Sequence, residues 1–124
     1  MMSIERLEEK FENHSDNVGI GLTLELLRIE VPTKCKIRIK SFGNYLGTVA
    51  AWGVAYWTYF ENGIQKNFAG ARQIMDQIGY AAQRQPVTVI EVEGGSVVQF
   101  YGVNPTAAIL SMGISIGYEI ISRS

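Results

Sequence analysis

Hydrophobic positions in the last part of the chain alternate strictly with small and polar ones. Between Ala108 and Ile121, Leu110, Met112, Ile114, Ile116, Tyr118 and Ile120 fall on one parity. Ser111, Gly113, Ser115, Gly117 and Glu119 fall on the other. Successive side chains of a strand point to opposite faces, so the run predicts one long, half-buried β-strand. At about 3.3 Å per residue it spans roughly 45 Å, well beyond an average strand. Its second face is almost bare of side chains, which predicts that something bulky packs there.

The same period of two begins at Val18. Val18, Ile20, Leu22, Leu24 and Leu26 alternate with Gly19, Gly21, Thr23 and Glu25, and then Ile29 and Val31 continue on the other parity. A β-bulge at Leu26-Leu27, or a move between sheets, would cause that switch. Lys34–Lys40 alternates with Cys35, Ile37 and Ile39 inward, and Ser41–Gly47 reads as a loop. An aromatic strand follows over 48–60, with Trp52, Val54, Tyr56 and Phe60 on one parity; Asn62-Gly63 then suits a type I′ hairpin. Ile74 and Ile78 suggest a short helix over 71–78. Thr88–Glu93, Gly94-Gly95 and Ser96–Val103 read as a second hairpin leading to the long last strand. Six or seven strands with closely spaced turn signals predict an all-β sandwich or barrel.

Residues 3–15 break this pattern. Ile4, Leu7 and Phe11 sit at i, i+3 and i+7 among charges, with Ser3 as a candidate N-cap, which predicts a short N-terminal amphipathic helix or arm. A helix of that length is marginal alone and must dock on its own domain or on a neighbour. The expected organisation is therefore an arm over 1–16 and a β-sandwich domain over 17–124.

The 124-residue chain is long enough for one cored domain. A net charge of −1 gives no general drive toward nucleic acid or an anionic membrane. The single cysteine, Cys35, excludes an intrachain disulfide and reads as a buried structural thiol. No apolar stretch resembles a signal peptide or a membrane-spanning helix, so a soluble product of a reducing compartment is expected.

Groups suited to catalysis are few. His14, the only histidine, stands in the charged N-terminal segment, and no spacing suggests a metal or cofactor site. Glu91 and Glu93 share a strand face and would lie roughly 6–7 Å apart, but a cleft to hold them is not evident. Lys34, Lys36, Arg38 and Lys40 form a cationic stripe. It reads as a solvated face balanced by carboxylates such as Glu25, Glu91 or Glu93, in preference to a contact with packaged nucleic acid. Tyr45, Trp52 and Trp57 are candidates for a ligand platform, although the opposite parity of the two tryptophans argues against one plane. Gly19, Gly21, Gly113 and Gly117 leave faces nearly empty. Either the tryptophans of the opposite sheet fill them, or they form a flat surface for another subunit.

The order of Arg38–Gly47, Trp57–Gly63, Asp76–Tyr80, Val92–Gly95 and Tyr101–Asn104 resembles that of small jelly-roll structural proteins of bacteriophage virions, over roughly residues 35–121. The resemblance implies a jelly-roll-like antiparallel β-sandwich serving as a capsid-associated, fibre-base or decoration subunit. Such a subunit is made in the host cytoplasm, is not secreted, and assembles with itself and with other virion proteins, without enzymatic activity. Ile4, Leu7 and Phe11 would then anchor the arm in a neighbour. A carbohydrate- or receptor-binding sandwich is the alternative.

Overall fold

Alternation is realised as strand along most of the described chain. A computed structural model describes residues 5–47, 55–66 and 85–123. These residues form β1 (Glu5–Val18), β2 (Thr23–Glu30), β3 (Cys35–Leu46), β4 (Tyr56–Glu61), β5 (Ile64–Lys66), β6 (Gln85–Val92), β7 (Val97–Val103) and β8 (Leu110–Arg123). They build two four-stranded antiparallel sheets, ordered β1-β8-β3-β6 and β2-β7-β4-β5, and so a β-sandwich. No helix among the described residues is long and apolar enough to cross a membrane.

The inward parities of both sheets meet in one core. Ile37, Ile39, Phe42, Leu46, Met112, Ile114 and Ile116 from the first sheet face Leu26, Trp57, Tyr59, Val98 and Phe100 from the second, all buried. Tyr59 stacks on Phe100 with ring centroids 5.1 Å apart. Complete burial of such a side chain stabilises the fold by about 1.5–3 kcal/mol. Cys35, a free thiol, sits half-buried at the margin of this core.

Two bulges set the phase of the core strands. In β2 the register shifts between Glu25 and Leu27, as the doubled leucine predicted. In β3 a shift between Ile39 and Ser41 moves the inward set from Cys35, Ile37 and Ile39 to Phe42, Asn44 and Leu46. That change of phase makes Ser41–Gly47 look like a loop in the sequence. In the fold, β3 runs on to Leu46.

The expected N-terminal helix is not formed; Glu5–Val18 is instead an edge strand paired with β8 along its length, from Glu5↔Arg123 to Val18↔Leu110. Leu7 and Phe11 are four apart, so they share a face in a strand as well as in a helix. The unpaired edge of a long β8 then decides the outcome, because a full ladder satisfies its backbone groups and a short isolated helix satisfies none of them. Ile4 lies outside the described residues, as do Trp52 and the helix expected over 71–78.

Gly19 and Gly21 do not belong to a flat strand face. They form the turn between β1 and β2, where Leu22 N–H donates to the Gly19 carbonyl (3.0 Å) and Gly21 takes φ 66°, a conformation natural to glycine. Gly94-Gly95 likewise closes no hairpin, since β6 and β7 lie in different sheets. Their connection crosses the sandwich beside the 31–34 connection, with Val31 N–H donating to the Ser96 carbonyl and Gly95 N–H to that of Val31 (2.9 and 2.8 Å). A Cβ on Gly94 would stand within 2.7 Å of the carbonyl oxygens of Pro32, Thr33 and Cys35, so only glycine fits there. The Asn62-Gly63 hairpin forms as expected, with positive φ at both residues (52° and 80°), joining β4 to β5.

Asn104, wholly buried, ties the opposite end together. Its Nδ2 donates to the carbonyls of Val18, Gly19 and Ala108 at 2.9, 3.1 and 2.7 Å. Its Oδ1 accepts from Thr106 N–H and Thr106 Oγ1 at 2.9 and 2.6 Å. The residue thus joins the end of β1 to the loop that feeds β8.

Candidate functional site

The small residues of β8 point outward. Ser111, Gly113, Ser115 and Gly117 lie on the face of the first sheet turned away from the core, so the tryptophans of the second sheet cannot fill the space above them. Neighbouring strands cover it in part. Phe11 of β1 lies over Gly117, with ring carbons 3.2 and 3.3 Å from where a Cβ would stand, and Ser41 of β3 closes in from the other side. Gly113 is bracketed by Ser15 and Tyr45. Ser115 Oγ donates to Asn13 Oδ1. Asn13, His14, Ser15, Tyr45, Gly113 and Ile114 line an open recess of about 500 Å³.

This partial cover leaves apolar surface on the outermost strand. Leu7 and Phe11 are 57% and 56% exposed, well above ordinary core residues of their type. Beyond β1 no strand among the described residues continues the sheet.

The cationic stripe lies on the same face of β3. Lys34 is outside it, in the turn before Cys35. Arg38 Nε contacts Glu91 at 3.0 Å and Lys36 Nζ contacts it at 3.7 Å. Glu119, largely buried, receives Lys40 Nζ at 2.8 Å and stands 3.9 Å from Arg38 Nη1. The Arg38 hydrogen bond, helped by the charge of Lys36, holds the Glu91 carboxyl below its ordinary value. Lys40 is raised above its own by its hydrogen bond to Glu119 and by that carboxylate's charge. The stripe is therefore a cross-strand ion network. Glu91 serves that network, while Glu93 lies beyond the end of β6, exposed, so the two do not converge on a cleft.

Of the aromatic platform expected from Tyr45, Trp52 and Trp57, the two described members, Tyr45 and Trp57, do not come together. Trp57 is fully buried in the core, and Tyr45 lies on the other sheet. The inward parity of β4 takes Trp57 and Tyr59, which leaves Tyr56 and Phe60 outward on the second sheet. There Phe60 meets Tyr101 edge-to-face, with centroids 5.2 Å apart. His14 is exposed, with Nε2 3.8 Å from Asp16 Oδ2. Among the described residues no three His, Cys, Asp or Glu side chains group as a metal site.

No signal in the sequence announces that Asn104 holds the end of β1, because Val18 and Gly19, whose carbonyls it takes, lie far away in the chain. Compared with known proteins, the chain matches no family model and no curated protein.

Proposed function

We propose that this chain is a non-enzymatic structural protein of a phage virion, a jelly-roll subunit that self-associates and docks on a capsid or related shell. The strand pairing supports the jelly-roll reading. β1 pairs with β8, β2 with β7, β3 with β6 and β4 with β5, as when one eight-stranded hairpin is rolled into two sheets. The observation that carries self-association is the exposed Leu7 and Phe11 on the outermost strand, beside the glycines and serines that β8 turns outward. Exposed apolar groups on an edge strand favour contact with another chain.

Light scattering on the intact protein tests the first half of this reading: a defined oligomer is expected, and a monomer throughout the micromolar range refutes it. Mass spectrometry of gradient-purified particles of the source phage tests the second, since absence from the particles refutes docking. Cytoplasmic synthesis without secretion belongs to the same reading. The glycan-binding alternative would use Tyr56, Phe60 and Tyr101 on the outward face of the second sheet in place of the buried Trp57. A glycan array followed by Tyr101→Ala decides it.

A further inference from the structure

The run from Val18 to Leu26 is written as one strand and folded as two. Val18, Ile20, Leu22, Leu24 and Leu26 keep a single apolar parity straight through the turn that joins β1 to β2. The fold honours that parity only at the two ends. Val18 and Leu26 are buried and Leu24 is half-buried, whereas Ile20 and Leu22, inside the turn, are 58% and 60% exposed. The strand before the turn is held to the domain chiefly by its backbone. Every side chain from Leu7 to Asn17 is exposed or half-buried, and Val18 alone is buried, yet the ladder to β8 runs the whole length of β1. We infer that two copies of this chain associate by exchanging β1: the turn over Gly19–Leu22 opens, and β1 of each copy completes the β8 edge of the other. The inference rests on the self-association proposed above and names the strand that passes between the copies.

Exchange needs no new docking surface, because the register of β1 on β8, the Asn13–Ser115 bond and the seat of Phe11 over Gly117 are all remade with the other copy's β8. What changes is the hinge. Opened, it continues β2 into β1 with the parity already written in the sequence. Two such hinges crossing antiparallel about Gly21 set Ile20 of each copy against Leu22 of the other, which covers the aliphatics that the closed turn exposes. Asn104 stands at the junction. Its N–H donates to the Leu22 carbonyl at 2.9 Å, and its Nδ2 to the carbonyls of Val18 and Gly19. On exchange it keeps the first within its own chain and takes the others from the second copy. A short hinge of this kind favours exchange. The closed form has the advantage of proximity at low concentration, so the exchanged dimer gains as concentration rises. Passage between the two requires β1 to leave β8, which makes it slow.

The test uses the full-length chain with Cys35→Ser as background and places Asn17→Cys and Ser111→Cys together in it. These positions are directly opposed across β1 and β8. Opposed α-carbons of an antiparallel pair stand about 4.5–5.5 Å apart, within disulfide reach. The oligomer is isolated by size-exclusion chromatography, oxidised mildly and run on a denaturing, non-reducing gel. Exchange should yield covalently linked dimers, whereas copies that keep their own β1 yield an internal disulfide and run as single chains. A second measurement leaves the strands untouched. Ile20→Ser should leave the Tm of the closed monomer where it was, since the side chain is exposed there, and should weaken the dimer by about tenfold or more. An oligomer that runs only as single chains after oxidation, or whose affinity Ile20→Ser does not change, overturns the exchange, while self-association stands. A wild-type monomer at every concentration overturns both.

Discussion

Replacing Asn104 by alanine removes five side-chain hydrogen bonds in one step. Two N–H bonds are shared among three carbonyls, so the independent loss is smaller than that number. A typical net hydrogen bond is worth about 0.5–1.5 kcal/mol, and a buried acceptor left bare costs about 1–3 kcal/mol. The Gly19 and Ala108 carbonyls keep Leu22 N–H and Thr106 Oγ1, each at 3.0 Å, so the loss of a buried donor falls chiefly on the Val18 carbonyl. We therefore expect Asn104→Ala to cost about 3 kcal/mol, a large part of the stability of a domain this size. At roughly 3–5 °C per kcal/mol, Tm should fall by about 10–15 °C. Urea denaturation followed by tryptophan fluorescence and far-UV circular dichroism measures it, with the m-value checked for constancy. Thr106→Ala, which spares the three donated bonds, should cost about 1 kcal/mol. A loss below about 1 kcal/mol for Asn104→Ala at unchanged m would refute the assignment of Asn104 as the tie between β1 and the β8 loop.

Gly94→Ala should destabilise by about 2–4 kcal/mol, because the new Cβ meets three backbone carbonyls that cannot move aside like a side chain; denaturant titration measures it. Glu91 should titrate below 4.5 by carboxyl ¹³C NMR and move upward in Arg38→Gln, since the guanidinium is the chief cause of the shift. Its contribution to stability is present above the ordinary carboxylate value and is lost as pH falls through the lowered one. The Tyr59 and Tyr118 hydroxyls, raised first by burial and then by Glu61 and Glu12 respectively, should stay un-ionised when ordinary tyrosines titrate. Spectrophotometric titration of the wild type beside Tyr59→Phe and Tyr118→Phe should find that neither of these two hydroxyls contributes near pH 10, and the stability they contribute is lost only as pH rises through their folded values. Deleting residues 1–16 should give aggregation instead of a folded monomer, because it strips the partner from the long edge of β8. Size-exclusion chromatography with circular dichroism would detect either product.

The sequence by itself determined what depends on near neighbours. Alternation in 110–121 and 35–39 made strands and chose their inward sides. The doubled Leu26-Leu27 marked a bulge, and Asn62-Gly63 fixed a turn by its tolerance of positive φ. Tertiary structure alone decided everything that requires a partner far along the chain. It made 5–18 a strand, because the edge of β8 supplied a ladder that no local signal announces. It carried β3 through its bulge, placed β6 and β7 in different sheets, and buried Trp57 while leaving Tyr56 and Phe60 outside. It also gave the Lys36–Lys40 stripe its carboxylates, Glu91 from β6 and Glu119 from β8, and gave Asn104 the carbonyls of Val18 and Gly19. The physical reason is common to all of these. A side-chain period is written in consecutive residues, whereas pairing and burial are settled by which strands the whole chain can bring together with their hydrogen bonds satisfied.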